Sequence, residues 1–216
     1  MSYSRKRNIG NKLFLEVLPQ HQQHFWEDEL AATPKYFTLY GSTALALQLG
    51  HREAEDFYFF TEEDFNPAKL YKAIPYLDNA EITKKDKNTL QCVVARSGRP
   101  IKVFFFGNID FVNKIESPMI ADNGVAVASK KDIAGTKMAV ILDQFSSKDY
   151  LDIWALLQSG IKLPEMLRYA EEMYGDNFNP HASVKSLAKF RSVGGLPMYT
   201  YDSFVAAIND YNATLD

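Results

Sequence analysis

The hydrophobic period of this chain changes once, at Ser129, and that change sets what the two halves can become. Before it, short runs of aromatic and β-branched residues sit between Gly, Pro and charged turns, with brief helical stretches among them. That is the pattern of a mixed sheet. After it, residues 130–143, 147–158, 163–174, 182–190 and 201–213 all repeat at helical spacing, with breaks at Ser146-Ser147, Gly160, Gly175 and Gly194-Gly195-Leu196-Pro197. The expected fold class is α+β, with a sheet lobe over residues 1–128 and a helical lobe over residues 129–216. A chain of 216 residues can bury a proper core in this arrangement.

Within the first half, residues 11–32 read as a helix interrupted at Pro19 and ended by Pro34. Tyr36 to Tyr40 reads as a buried strand. Gly41-Ser42 turns it into a short helix from Thr43 to Leu49, which Gly50 stops. Asp56 to Phe60 reads as a second strand, and Pro67 starts a helix running to about Leu77. Ala80–Lys84 and Thr89–Ala95 flank the turn Lys85-Asp86-Lys87-Asn88 as a hairpin, and Ile101–Phe106 follows another turn at Ser97-Gly98-Arg99-Pro100. These strands are expected to pair antiparallel.

Composition removes several function classes. A formal charge of -3 gives the whole molecule no electrostatic footprint for nucleic acid. Arg5-Lys6-Arg7 and the trio Lys84, Lys85 and Lys87 are local basic runs, which read as solvated surface. Cys92, the lone cysteine, lies in an apolar stretch and is expected to be a buried, inert thiol. No apolar run is long enough to span a bilayer and the N-terminus lacks an apolar signal core, so the expectation is a cytoplasmic protein with no membrane partner.

The segment from Tyr40 to Thr61 carries the chemistry. A strand ends in a Gly-Ser turn that opens directly into a helix, so free backbone amides at the helix start can meet a phosphate. A second strand then brings Asp56 beside that position, and acidic residues there are suited to divalent metal. Ser42 also stands where a helix cap would.

These residues resemble the AbiEii/AbiGii-type toxin family of the nucleotidyltransferase superfamily. The matching positions are Gly41, Ser42, Thr43, Ala44, Leu45, Leu49, Gly50, His51, Arg52, Asp56, Phe59 and Phe60. Two further motifs follow in the family's order: Asp132-Ile133-Ala134-Gly135-Thr136-Lys137-Met138-Ala139, and Lys148 through Leu157. The resemblance implies a nucleotidyltransferase-like mixed sheet lobe, an NTP as substrate or ligand, Mg2+, an RNA or protein acceptor and an antitoxin protein partner. It implies that Gly41 and Ser42 contact triphosphate, that Asp56 binds metal, that Lys137 contacts phosphate and that Asp149 supports the site. Lys137 and Asp149 would equally suit a structural ion pair, and Asp152, on nearly the same helix face, could share either role. His51 and Arg52 are expected to hold the helix-to-strand turn.

The chain departs from the family at the metal motif. The family's paired strand carboxylates fall here on Asp56 and Tyr58, and a third falls on Phe104. Lys102 would share the face of Phe104 and could lend Asp56 a fixed cation. Glu53 and Glu55 could reach the metal position only if the strand slipped by one residue, and Asp64 reads as a cap for the helix that follows. The expected outcome is weak or absent metal binding and a degenerate member that binds a nucleotide or a partner. The alternative is a non-catalytic interaction module on the same fold, with Met198-Tyr199-Thr200-Tyr201 as a candidate surface.

Overall fold

The computed structural model describes residues 12–109, 111–142 and 146–215. The basic run Arg5-Lys6-Arg7 lies outside them. Helix α1 (Gln20–Asp28) begins directly after Pro19, between single 3-10 turns at Leu15–Val17 and Leu30–Ala32. Strand β1 (Thr38–Tyr40) runs into α2 (Gly41–Leu49), and β2 (Phe57–Phe60) returns. Helix α3 (Pro67–Ala73) is shorter than its sequence pattern suggests. Pro75 ends it and a 3-10 turn covers Pro75–Leu77. Asn66, not Asp64, caps α3, accepting from the amides of Ala68 and Lys69, while Asp64 accepts from Asn88.

Strands β3 (Glu81–Asp86), β4 (Thr89–Arg96) and β5 (Arg99–Phe106) form the expected meander, followed by the two-residue strands β6 (Met119–Ile120) and β7 (Ala126–Val127). All seven join one sheet in the order β3-β4-β5-β2-β1-β7-β6. The antiparallel expectation holds for β3-β4, β4-β5, β1-β2 and β6-β7. It fails for β2-β5 and β1-β7, which are parallel because a crossover connects each pair. The short β6 and β7 have no alternating run long enough to announce them.

From Lys130 onward the described residues hold helices alone: α4 (Lys130–Val140), α5 (Ser147–Gln158), α6 (Leu163–Tyr174), α7 (Pro180–Leu187) and α8 (Tyr201–Asn212), with 3-10 turns between them. Helix α4 is capped by the Ser129 side chain, and α5 by Ser146. One apolar cluster runs through both halves, from Val17 in the first to Tyr211 in α8. On the sheet's covered face, Phe57, Phe59, Val103 and Phe105 are fully buried, and Phe25 of α1 meets Phe57 edge to face at 5.8 Å. Cys92 is buried in β4 and burial pushes its thiol up to about 11, in keeping with an inert thiol.

Gly50 sets the exit of α2. Its φ of +65° is left-handed, and a Cβ there would stand 3.0 Å from the Phe14 ring. Gly50→Ala is therefore expected to cost about 1–2 kcal/mol of stability from the backbone alone. Urea unfolding should show a lower midpoint with an unchanged slope.

Candidate functional site

The strand-turn-helix segment places its polar residues on one cleft. Gly41 adopts φ +73°, a conformation that suits glycine and lets β1 turn at once into α2. The Thr43 hydroxyl donates to the Asp56 carbonyl at 2.6 Å, which ties the start of β2 to the first turn of α2. An open cleft results, lined by Ser42, Thr43, Arg52, Glu55, Asp56, Tyr58, Ser146, Lys148 and Asp149. Asp56 and Ser42 thus face the same space, from adjacent elements.

Asp149 of α5 lines this cleft, and Lys137 of α4 stands buried behind it. Helix α4 is held at its start by Asp132, whose carboxylate accepts from the amides of Ile115 and Glu116 at 3.1 Å each. Gly135 lets α6 lie close, since a Cβ there would stand 2.7 Å from Met173 Sδ and 3.1 Å from backbone of Tyr169. One side of α4 is therefore closed by α6, and Lys137 extends from α4 toward Ser42. Its Nζ donates to Ser42 Oγ at 2.9 Å and pairs with Asp149 at 2.8 Å and with Asp152 at 2.6 Å.

The centre of this network is Asp152. It is fully buried and accepts from the Ser42 hydroxyl at 2.6 Å, from His51 Nε2 at 2.8 Å and from Arg52 at 2.7 and 3.2 Å. Burial alone would raise its carboxyl, but the Lys137 charge and the bonds from His51 and Arg52 outweigh that and hold it far below the usual carboxylate range. Ser42 is not a helix cap: Tyr40 occupies that position without a side-chain bond, and the Ser42 hydroxyl is spent on Asp152. His51 and Arg52 do hold the turn after α2, and they do so by gripping α5 through Asp152. The sequence signal for Asp152 was its place three residues after Asp149, on the same helix face.

Across the cleft, β2 and β5 form the sheet wall. The parallel register sets Tyr58 opposite Phe104, and their rings stack at 4.6 Å. Phe57 and Phe59 stay buried, so β2 has not slipped. Burial, then the negative charges of Asp56, Asp149 and Glu55, raises the Tyr58 phenol and keeps it neutral. Glu55 is drawn to Lys148, which bonds both its oxygens at 2.5 Å. Burial raises the Asp56 carboxyl, Lys102 and Lys148 lower it and Glu55 raises it. Lys102 thus reaches Asp56 by charge, without an ion pair to it among the described residues.

A phenol stacked on a phenylalanine offers no hard, charged oxygen to Mg2+. Among the described residues, no group of three His, Cys, Asp or Glu side chains stands ready to hold a metal ion. The donors present do not fit a two-metal centre.

This fold and cleft define a nucleotidyltransferase-like protein. A family model described as "Nucleotidyl transferase AbiEii toxin, Type IV TA system" matches residues 24–199. The chain belongs to that family. It is also similar to "Uncharacterized protein aq_aa25" of Aquifex aeolicus (strain VF5), with 32% identity over 163 residues, covering 71% of this chain and 73% of that protein. No described helix is long and apolar enough to cross a membrane.

Two outcomes follow from the geometry. Asp152→Asn leaves buried Lys137 and partly buried Arg52 with less countercharge and is expected to cost about 3–5 kcal/mol. Because the folded Asp152 titrates below its unfolded value, its contribution is full above roughly pH 4 and is lost as pH falls. Thermal melts from pH 7 to pH 2 should therefore fall less steeply in Asp152→Asn than in the parent. Lys102→Gln should raise the Asp56 pKa further, since it removes a cation that favours the ionised form. NMR titration of the Asp56 carboxyl carbon reads this directly, and an unchanged value would show that Lys102 does not act on Asp56.

Proposed function

We propose that this chain is a degenerate nucleotidyltransferase-fold member of its toxin family, one that receives a nucleotide in the cleft at the start of α2 and transfers it poorly. The observation that carries this reading is the Tyr58–Phe104 stack: two rings occupy facing strand positions beside Asp56, where the chemistry of nucleotidyl transfer asks for carboxylates. The phosphates would lie against the amides of Ser42 and Thr43, with Arg52 and Lys148 lining the same cleft. Asp56 supplies one acid. Lys137, set between Asp149 and Asp152, keeps Ser42 in place and would act on a phosphate through that hydroxyl. An antitoxin is the protein partner this family assignment suggests, and an RNA acceptor is the substrate it would offer.

The second reading is a non-catalytic interaction module. It is favoured by the internal closure of the network, in which Lys137 and Arg52 are already paired with aspartates. The exposed pair Met198 and Tyr199, the latter touching Trp154, would be its candidate surface.

Calorimetry with each of the four NTPs, with and without Mg2+, separates the readings. The degenerate enzyme binds an NTP with similar affinity in both conditions, whereas the interaction module binds none. Purified protein with labelled NTPs, Mg2+ or Mn2+ and bulk tRNA should show little or no transfer. Robust transfer that disappears in Asp56→Ala would contradict the proposal.

A further inference from the structure

Among the described residues, two cations line the cleft, Arg52 and Lys148. Arg52 is committed elsewhere. Its Nε and Nη2 donate to buried Asp152, and its Nη1 donates to the Glu53 carbonyl. Lys137, behind the cleft, is likewise held between Asp149 and Asp152. Lys148 differs in its partner. It pairs with Glu55, and about half of each side chain stays in water, at 51% and 52% exposed. An exposed pair of this kind is weak, so either side chain can leave it at small cost. Parting Arg52 or Lys137 from a buried acid costs far more.

The place of Lys148 along its helix is unfavourable by itself. It is the second residue of α5, at the positive end of the helix dipole, where acidic side chains are the better suited. A cation there is steadied by an anion in front of it, and Glu55 supplies one from the opposite wall. The backbone that carries Glu55 is tied on both sides. Its carbonyl accepts from Gln22 Nε2 at 2.6 Å, and the next carbonyl, of Asp56, accepts from the Thr43 hydroxyl at 2.6 Å. The freedom that remains lies in the Glu55 side chain. A phosphate against the amides of Ser42 and Thr43 would share its space with Glu55 and Asp56, whose charges oppose it. Lys148 can offset them once it lets go of Glu55.

On the reading of this cleft as a nucleotide site, we propose that Lys148 is the cation that receives a phosphate and that Glu55 is its built-in competitor. In the empty cleft the two side chains are joined. In the occupied cleft Lys148 turns to the phosphate and Glu55 to water. The competition is no stronger than an exposed ion pair, so it tunes affinity without abolishing binding.

Calorimetry with inorganic tripolyphosphate tests this on the full chain, without divalent metal and at about 0.15 M salt, where more distant charges are screened. Glu55→Gln should bind about threefold to fivefold more tightly than the parent, through release of one exposed pair. Lys148→Gln should bind roughly tenfold more weakly, through loss of a charged contact. In the Lys148→Gln background, Glu55→Gln should change nothing further, because the competition acts through Lys148. Glu53→Gln removes a neighbouring exposed charge and should match the parent, with circular dichroism checking the fold of every variant. Equal affinity of parent and Glu55→Gln overturns the competition and leaves the nucleotide reading standing. A gain in Glu55→Gln that persists beside Lys148→Gln also overturns it, by reducing Glu55 to plain repulsion. No binding by the parent or by Glu55→Gln overturns the nucleotide reading, and the competition with it.

Discussion

The carboxylate of Asp152 is the point on which the cleft depends. It is buried in α5, yet it accepts from Ser42 of α2, from His51 and Arg52 after α2, and it pairs with Lys137 of α4. Three separate parts of the chain are fixed by one charge. Such a charge is tolerated out of water only because its lone pairs are filled by cations and a hydroxyl, and removal of any single partner leaves the others uncompensated. The position of the helices against the sheet, and with it the shape of the cleft, follows from this arrangement.

The opposite wall obeys a different constraint. Here the sheet spends its alternation on rings: Phe57, Phe59 and Phe105 inward, Tyr58, Phe60, Phe104 and Phe106 outward. Cross-strand aromatic pairs stabilise a sheet wherever they occur. At Tyr58 and Phe104 the pair lies directly beside Asp56 in the strand order. The cleft therefore sets the start of α2 against a ring-covered sheet wall on which Asp56 is the acid that lines it. A protein that belongs to the AbiEii family thus joins an aromatic sheet wall to a charged helix network.

Much of this was legible in the sequence. The period change at Ser129, the Gly50 stop and the Gly-Ser turn fixed the order of elements, because each depends on local backbone preference. The grouping of Ser42, Asp56 and Asp149 on the cleft, with Lys137 behind them, was legible because three motifs followed one another in a known order. What sequence could not give was the hub. Asp149 and Asp152 share a face, and which of them is buried among four donors depends on how α4, α5 and α2 pack. Parallel pairing of β2 with β5 was also hidden, since alternation within a strand says nothing of its neighbour's direction. Asp64 and Asn66 both suit a cap, and the competing bond from Asn88 to Asp64 decided between them.

Among the described residues, Asp56 stands without a cluster of further acids to share a divalent ion. Mn2+ titration of the purified protein, followed by the paramagnetic resonance of free Mn2+, measures this without any assumption about substrate. The account predicts that Mn2+ stays free at micromolar concentrations and that Asp56→Ala behaves as the parent. Stoichiometric uptake of Mn2+ at those concentrations, abolished in Asp56→Ala, would contradict it.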